Sequence, residues 1–152
     1  MTLGEILSPS CVKVSLEGGD KISVIGELVD LLDSAGALSD RESVFEAVML
    51  RERAGSTGIG GGIAIPHCKC NAVEKLVMAI GIIRNGIEFE SIDEKVAKII
   101  ILLISSLYKT NQHVEALSRV SRLMLDNEFK EKLEQSESSE QAYELLIAKD
   151  AE

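Results

Sequence analysis

Two histidines, His67 and His113, are the only imidazoles in the chain. His67 sits inside residues 56–70, STGIGGGIAIPHCKC. A neutral imidazole is a nucleophile, and its ordinary pKa of about 6.5 keeps a large neutral fraction at neutral pH. Pro66 fixes its own φ and keeps its predecessor extended, which holds the ring at the mouth of a strand or loop. From residue types alone three readings are open: a structural histidine at a turn, a metal ligand beside Cys68 and Cys70, or an acceptor of a phosphoryl group. The metal reading is the poorest fit, because His-Cys-x-Cys is unlike the common zinc pairs and adjacent residues seldom aim at one ion.

The residues before His67 favour an anion. Gly55, Gly58, Gly60, Gly61 and Gly62 lie within eight positions. Such a run allows close approach and lets successive N–H groups face a phosphate. Ser56 and Thr57 add hydroxyl donors, so Ser56, Thr57, Gly58 and Gly60 are the expected phosphoryl seat. The run is not a nucleotide P-loop, which needs Lys followed by Ser or Thr after its glycines. It is not a dinucleotide fingerprint either, since it follows a helix and lacks the acidic partner.

Arg51 stands just before these glycines, and its planar guanidinium matches phosphate oxygens. Arg53 is an alternative, while Glu52 should point elsewhere. His113 falls early in a helix expected to be capped by Thr110, on the edge of a stripe with Ala116, Leu117, Val120 and Met124. The positive helix end disfavours imidazolium there, so the ring is expected to be neutral if it looks into a cleft. The alternative is a histidine facing water. Together these groups make one consistent phosphoryl site: nucleophile, second imidazole, arginine and donor-rich loop.

The elements that must position them follow from periodicity. TLGEIL is a short helix stopped near Pro9, and CVKVSL reads as a brief strand. Asp20 caps a helix with Ile25, Leu28, Val29 and Leu32 on one face, ending near Gly36. Asp40 starts another, with Val44, Ala47, Val48 and Arg51 at helical spacing and Gly55 as its end. IAIPH is β-like, with Cys68 and Cys70 left on a loop. Residues 76–84 form a strand, and Gly86 separates it from IEFE. Residues 95–106 are apolar on both faces in their centre, as a covered central strand is. Three helices close the chain. Helices alternating with strands predict a layered α/β domain spanning residues 1–152, with no repeat or dividing linker.

Composition excludes several classes. A chain of 152 residues with 45% apolar residues builds a real core. Sixteen basic against 25 acidic residues give a net charge of −9, which repels a nucleic acid and suits a partner with a basic patch. Three cysteines form no disulfide framework, and the N-terminus lacks a signal-peptide pattern, so a cytoplasmic location is expected. The apolar run at 96–107 is too short to insert in a membrane.

At these residues the chain resembles a known family. RERAGSTGIGGGIAIPH, residues 51–67, resembles the active-site segment of fructose/mannitol-type EIIA domains of the bacterial phosphotransferase system, which include the nitrogen-regulatory EIIA proteins. HVEALSRVSRLM, residues 113–124, resembles the family's second-histidine segment, and the likeness covers nearly the whole chain. It implies a compact α/β domain with a mixed sheet flanked by helices. It also implies that a phosphohistidine on an HPr-like carrier gives its phosphoryl group to Nε2 of His67. His113 would then orient the ring or steady the phosphoryl group, with Arg51, Ser56 and Thr57 around it. No metal or other cofactor is implied. Sugar-type members pass the group to an EIIB cysteine, and regulatory members bind target proteins according to phosphorylation state. The absence of EIIB or EIIC sequence favours the regulatory type. Two departures stand out. Cys68 replaces the usual glycine after the active histidine, and LISSLYKTNQH lacks the proline expected before the second one. The first implies an altered site mouth and the second an altered loop before the second histidine, and they are the best support for an alternative in which the fold persists as a protein-binding module without transfer.

Overall fold

The computed structural model describes residues 1–152. In chain order the elements are α1 (Leu3–Ile6), a 3₁₀ turn (Pro9–Cys11), β1 (Val12–Val14), α2 (Lys21–Ser34), α3 (Arg41–Ala54), β2 (Gly58–Gly60), β3 (Ile63–Ala64), β4 (His67–Cys70), β5 (Val77–Ile87), β6 (Ala97–Ser106), α4 (Thr110–Leu123), α5 (Asn127–Glu134) and α6 (Ser139–Asp150). The six strands form one mixed sheet in the order β1-β5-β6-β3-β2, with β4 also paired to β6. β5 and β6 are antiparallel, whereas β1 on β5, and β3 and β4 on β6, are parallel.

β6 explains the architecture. Ile99 to Ile104 are all fully buried, and successive strand residues face opposite sides. Both faces of the sheet are therefore covered, as the uninterrupted apolar run predicts. The core contains 43 buried apolar side chains. α2 and α3 begin as expected: Asp20 accepts from the Ser23 N–H at 2.8 Å and Asp40 from the Ser43 N–H at 3.3 Å, satisfying donors that a first helical turn leaves free. α5 and α6 start on Asp126 and Ser138 in the same way.

Three expectations change. Thr110 does not cap α4; it is the first helical residue, and Lys109 occupies the cap position without a side-chain bond. The Thr110 hydroxyl is instead 3.3 Å from Lys69 Nζ. Cys68 and Cys70 are not on a loop but in β4, because the chain beyond Pro66 keeps pairing with β6. β5 runs through Gly86 to Ile87 with a shift in register. The φ of +76° at Gly86 lets the strand bend there without ending.

β3 and β4 occupy one edge of β6 in succession. Ile63 and Ala64 lie opposite Ile99 and Ile100; His67 lies opposite Leu103. Between them Pro66 offers no N–H, yet its carbonyl accepts from Leu103 at 3.0 Å. The interruption ends one strand piece and delivers the next residue, His67, where the sheet edge meets the helices. No helix is long and apolar enough to cross a membrane.

Candidate active site

His67, His113 and Arg51, distant in sequence, meet at one open cleft of about 580 Å³. α3 supplies Ala47, Leu50, Arg51 and Ala54 to its wall, β4 supplies His67, Cys68 and Lys69, and α4 supplies His113 and Leu117. The convergence has a simple cause. β4 runs parallel to the end of β6, so the chain leaving β6 turns at 107–109 and re-enters as α4 beside β4. The turn lacks proline, and Ser106 organises it: the Ser106 carbonyl accepts from Lys109 N–H at 3.2 Å and its hydroxyl from Tyr108 N–H at 3.4 Å.

The two rings have centroids 5.4 Å apart and planes inclined at 55°. His67 Nδ1 lies 2.7 Å from the Ile65 carbonyl. A carbonyl only accepts, so Nδ1 carries the proton of this bond and, in the neutral ring, Nε2 keeps its lone pair. His67 is half-buried, whereas His113 is 5% exposed. Burial, then the facing His67 and then Lys69, push the His113 pKa down to about 4. The second imidazole is therefore neutral at neutral pH, through desolvation more than through the helix end. Its Nδ1 is 2.6 Å from the hydroxyl of Ser105, which is fully buried.

The cleft is locally cationic on a chain of net charge −9. Arg51 is half-buried, with Nη1 donating to the Gly55 carbonyl at 2.8 Å, and Lys69 lies on the rim. Residues 67 and 69 share one side of β4 by the period of two, so reading CKC as strand would have drawn Lys69 into the expected site. Ser105 had a fainter signal: a hydroxyl in a buried apolar run needs a partner.

Ser56, Thr57, Gly58 and Gly60 do not line this cleft. Thr57 is buried and both of its donors go to Glu52, the N–H at 2.9 Å and the hydroxyl at 2.7 Å. Lys21 completes the buried carboxylate at 2.8 Å. The Ser56 hydroxyl donates to the Phe89 carbonyl at 2.6 Å and accepts from Gly58 N–H at 3.0 Å. Gly60, Gly61 and Gly62 all have positive φ, between +66° and +88°, forming the turn from β2 to β3. Gly61 N–H is taken by Asp93 at 3.0 Å and its carbonyl by Lys130 at 3.0 Å. The donors of Thr57, Gly58 and Gly61 and the Ser56 hydroxyl are used within the fold. Glu52 points away from Arg51 as expected, and its role as the anchor of the loop had no sequence signal, since Lys21 is brought to it only by tertiary packing and Thr57 folds back onto it from the loop.

No three His, Cys, Asp or Glu side chains are grouped so as to hold a metal ion. Cys68 and Cys70 are buried free thiols. The neighbouring Cys70 thiol and then burial raise the Cys68 pKa, and the neighbouring Cys68 thiol lowers that of Cys70.

Residues 5–149 match the family described as "Phosphoenolpyruvate-dependent sugar phosphotransferase system, EIIA 2". The chain belongs to this family. Among similar EIIA proteins is the "PTS system fructose-specific EIIABC component" of Bacillus subtilis, 37% identical over 146 residues, which cover 96% of this chain and 23% of that protein. The chain thus spans about a quarter of that relative's length. The "PTS system fructose-specific EIIA component" of Haloferax volcanii is 34% identical over 126 residues, covering 83% of this chain and 82% of the relative. The crystal structure of nitrogen regulatory protein IIA-Ntr from Neisseria meningitidis superposes with a TM-score of 0.86 at 31% identity, covering 95% of this chain and 98% of that one. The mixed sheet flanked by helices is the EIIA fold, and phosphotransfer is the general role of the family.

Proposed function

We propose that this chain is a phosphocarrier that accepts a phosphoryl group on His67 Nε2 from a phosphohistidine of an HPr-like carrier protein, and that its phosphorylation state is read by a regulatory target protein. The observation that carries the reading is the 2.7 Å bond from His67 Nδ1–H to the Ile65 carbonyl. It leaves Nε2 as the nucleophile, in an open cleft beside a neutral imidazole and two cations.

In the transfer, the bond from Nε2 to phosphorus forms as the bond from the donor's ring nitrogen to phosphorus breaks, and that nitrogen keeps the electron pair. The Nδ1 proton stays on His67, so the product ring is cationic and remains bonded to the Ile65 carbonyl. Positioning and neutralisation of the three phosphoryl oxygens carry such a reaction. Arg51 and Lys69 supply charge, and His113 supplies a contact that brings no added positive charge. Ser56, Thr57, Gly58 and Gly60 act one step removed, by fixing the path of β3 into Pro66 and His67. Incubation with phosphorylated HPr-like donor, followed by residue-specific mapping, tests this. Label on His67, lost in His67→Ala, is expected; acid-labile label retained in that variant overturns it.

A second reading, transfer onward to an EIIB cysteine for sugar uptake, is favoured by the fructose-specific relatives at 37% and 34% identity. A chase of the phosphorylated chain with the EIIB protein separates the two. Rapid loss of label to cysteine supports uptake, and a stable phosphorylated chain that changes its binding to a target supports regulation.

A further inference from the structure

We propose that Ser105 is a positioning residue that sets the tautomer of His113: its hydroxyl donates to Nδ1, which holds the His113 proton on Nε2. The bond is short, at 2.6 Å, and both partners are buried, Ser105 at 0% exposure and His113 at 5%. Its direction follows from what else the hydroxyl can do. Ser105 Oγ makes no other hydrogen bond in the structure. If Nδ1–H donated to it, the serine hydrogen would point into an apolar interior with no acceptor, and a buried unpaired donor is costly. Donation by the hydroxyl satisfies both atoms at once.

The two histidines then differ in a useful way. His67 Nδ1 faces a carbonyl, a group that only accepts, so its proton sits on Nδ1 and its lone pair on Nε2. His113 Nδ1 faces a hydroxyl whose hydrogen has no other acceptor, so its lone pair sits on Nδ1 and its proton on Nε2. The two tautomers make one ring a nucleophile and the other a donor. Within the phosphocarrier reading, on which this consequence rests, the donor steadies a phosphoryl oxygen carried by His67. The pairing follows the strand register: β4 lies along the last residues of β6, with Lys69 opposite Ser105, and α4 returns His113 over the same place.

The test uses the full chain labelled with ¹⁵N-histidine. Two-bond ¹H–¹⁵N spectra at neutral pH are expected to show Nδ1-protonated His67 and Nε2-protonated His113. In Ser105→Ala, the His113 Nδ1 resonance should move toward that of a bare lone pair, and the transfer rate from the phosphorylated HPr-like donor should fall about fivefold. Ser105→Thr keeps a hydroxyl on a strand and should restore both readouts. A parent spectrum with His113 protonated on Nδ1 overturns the proposal, and so does a Ser105→Ala chain whose Nδ1 resonance and rate match the parent. If the parent takes up no label, the phosphocarrier reading fails while the spectra still decide the tautomer.

Discussion

The glycine loop and the histidine cleft are joined in sequence within seventeen residues, 51–67, yet they are built in opposite ways. In the loop, polar groups are consumed by the fold: Thr57 by Glu52, Ser56 by the Phe89 carbonyl, Gly61 by Asp93 and Lys130. In the cleft, His67 bonds the protein only through Nδ1, and Lys69 sits exposed at the rim with a single 3.3 Å contact to the Thr110 hydroxyl. A satisfied polar group stabilises and positions, whereas an unsatisfied one placed in a concave site is available for chemistry. One sequence motif thus contains both a support and the proposed reactive centre.

Substitutions in the two regions should separate activity from stability. The largest effect belongs to His67→Ala, which should abolish phosphoryl incorporation, a loss on the order of 10⁴-fold or more, with an unchanged thermal melt. Arg51→Ala should slow transfer about 100-fold in stopped or quenched kinetics, again with little change in melting. In the loop the pattern should invert. Thr57→Val leaves a buried Glu52 oxygen without its donor and should cost about 1–3 kcal/mol in urea unfolding, with transfer within about threefold of the parent.

His113 gives a pH signature that belongs to the cleft alone. Its pKa falls from 6.5 to about 4 in the folded chain. Between those values the unfolded chain binds a proton that the folded ring refuses, so stability drops as pH falls through that window. The drop is on the order of 2 kcal/mol. Urea midpoints at the two ends of the window should show it in the parent and lose it in His113→Gln. The smallest effect is that of Ser56→Ala, below about 1 kcal/mol in stability and within about twofold in transfer. A hundredfold loss of transfer there would bring the loop into direct contact with the phosphoryl group and erase the contrast.

Much of the fold is legible from local chemistry. Asp20 and Asp40 mark helix starts because a capping carboxylate acts on residues three positions away, and residues 95–106 announce a covered strand by composition. The candidate site was legible in part. His67, His113 and Arg51 stand out because imidazole and guanidinium have few uses at such spacings. Lys69 was missed because CKC reads as loop until β6 is known to continue beside it. The roles of Ser56 and Thr57 read outward because hydroxyls near glycines look available. Their actual partners are Phe89, 33 residues from Ser56 and reached only by tertiary packing, and Glu52, five residues before Thr57 at the end of α3. The cap on α4 failed for the same reason, since Lys69 on the neighbouring β4 engages the Thr110 hydroxyl.

The most direct test of the account is to phosphorylate the ¹⁵N-histidine-labelled chain and find, by phosphorus–nitrogen coupling, which nitrogen bears the group. Coupling to His67 Nε2, with the proton still on Nδ1, is the predicted result. Phosphorus on His67 Nδ1, on His113, or on any other residue contradicts it.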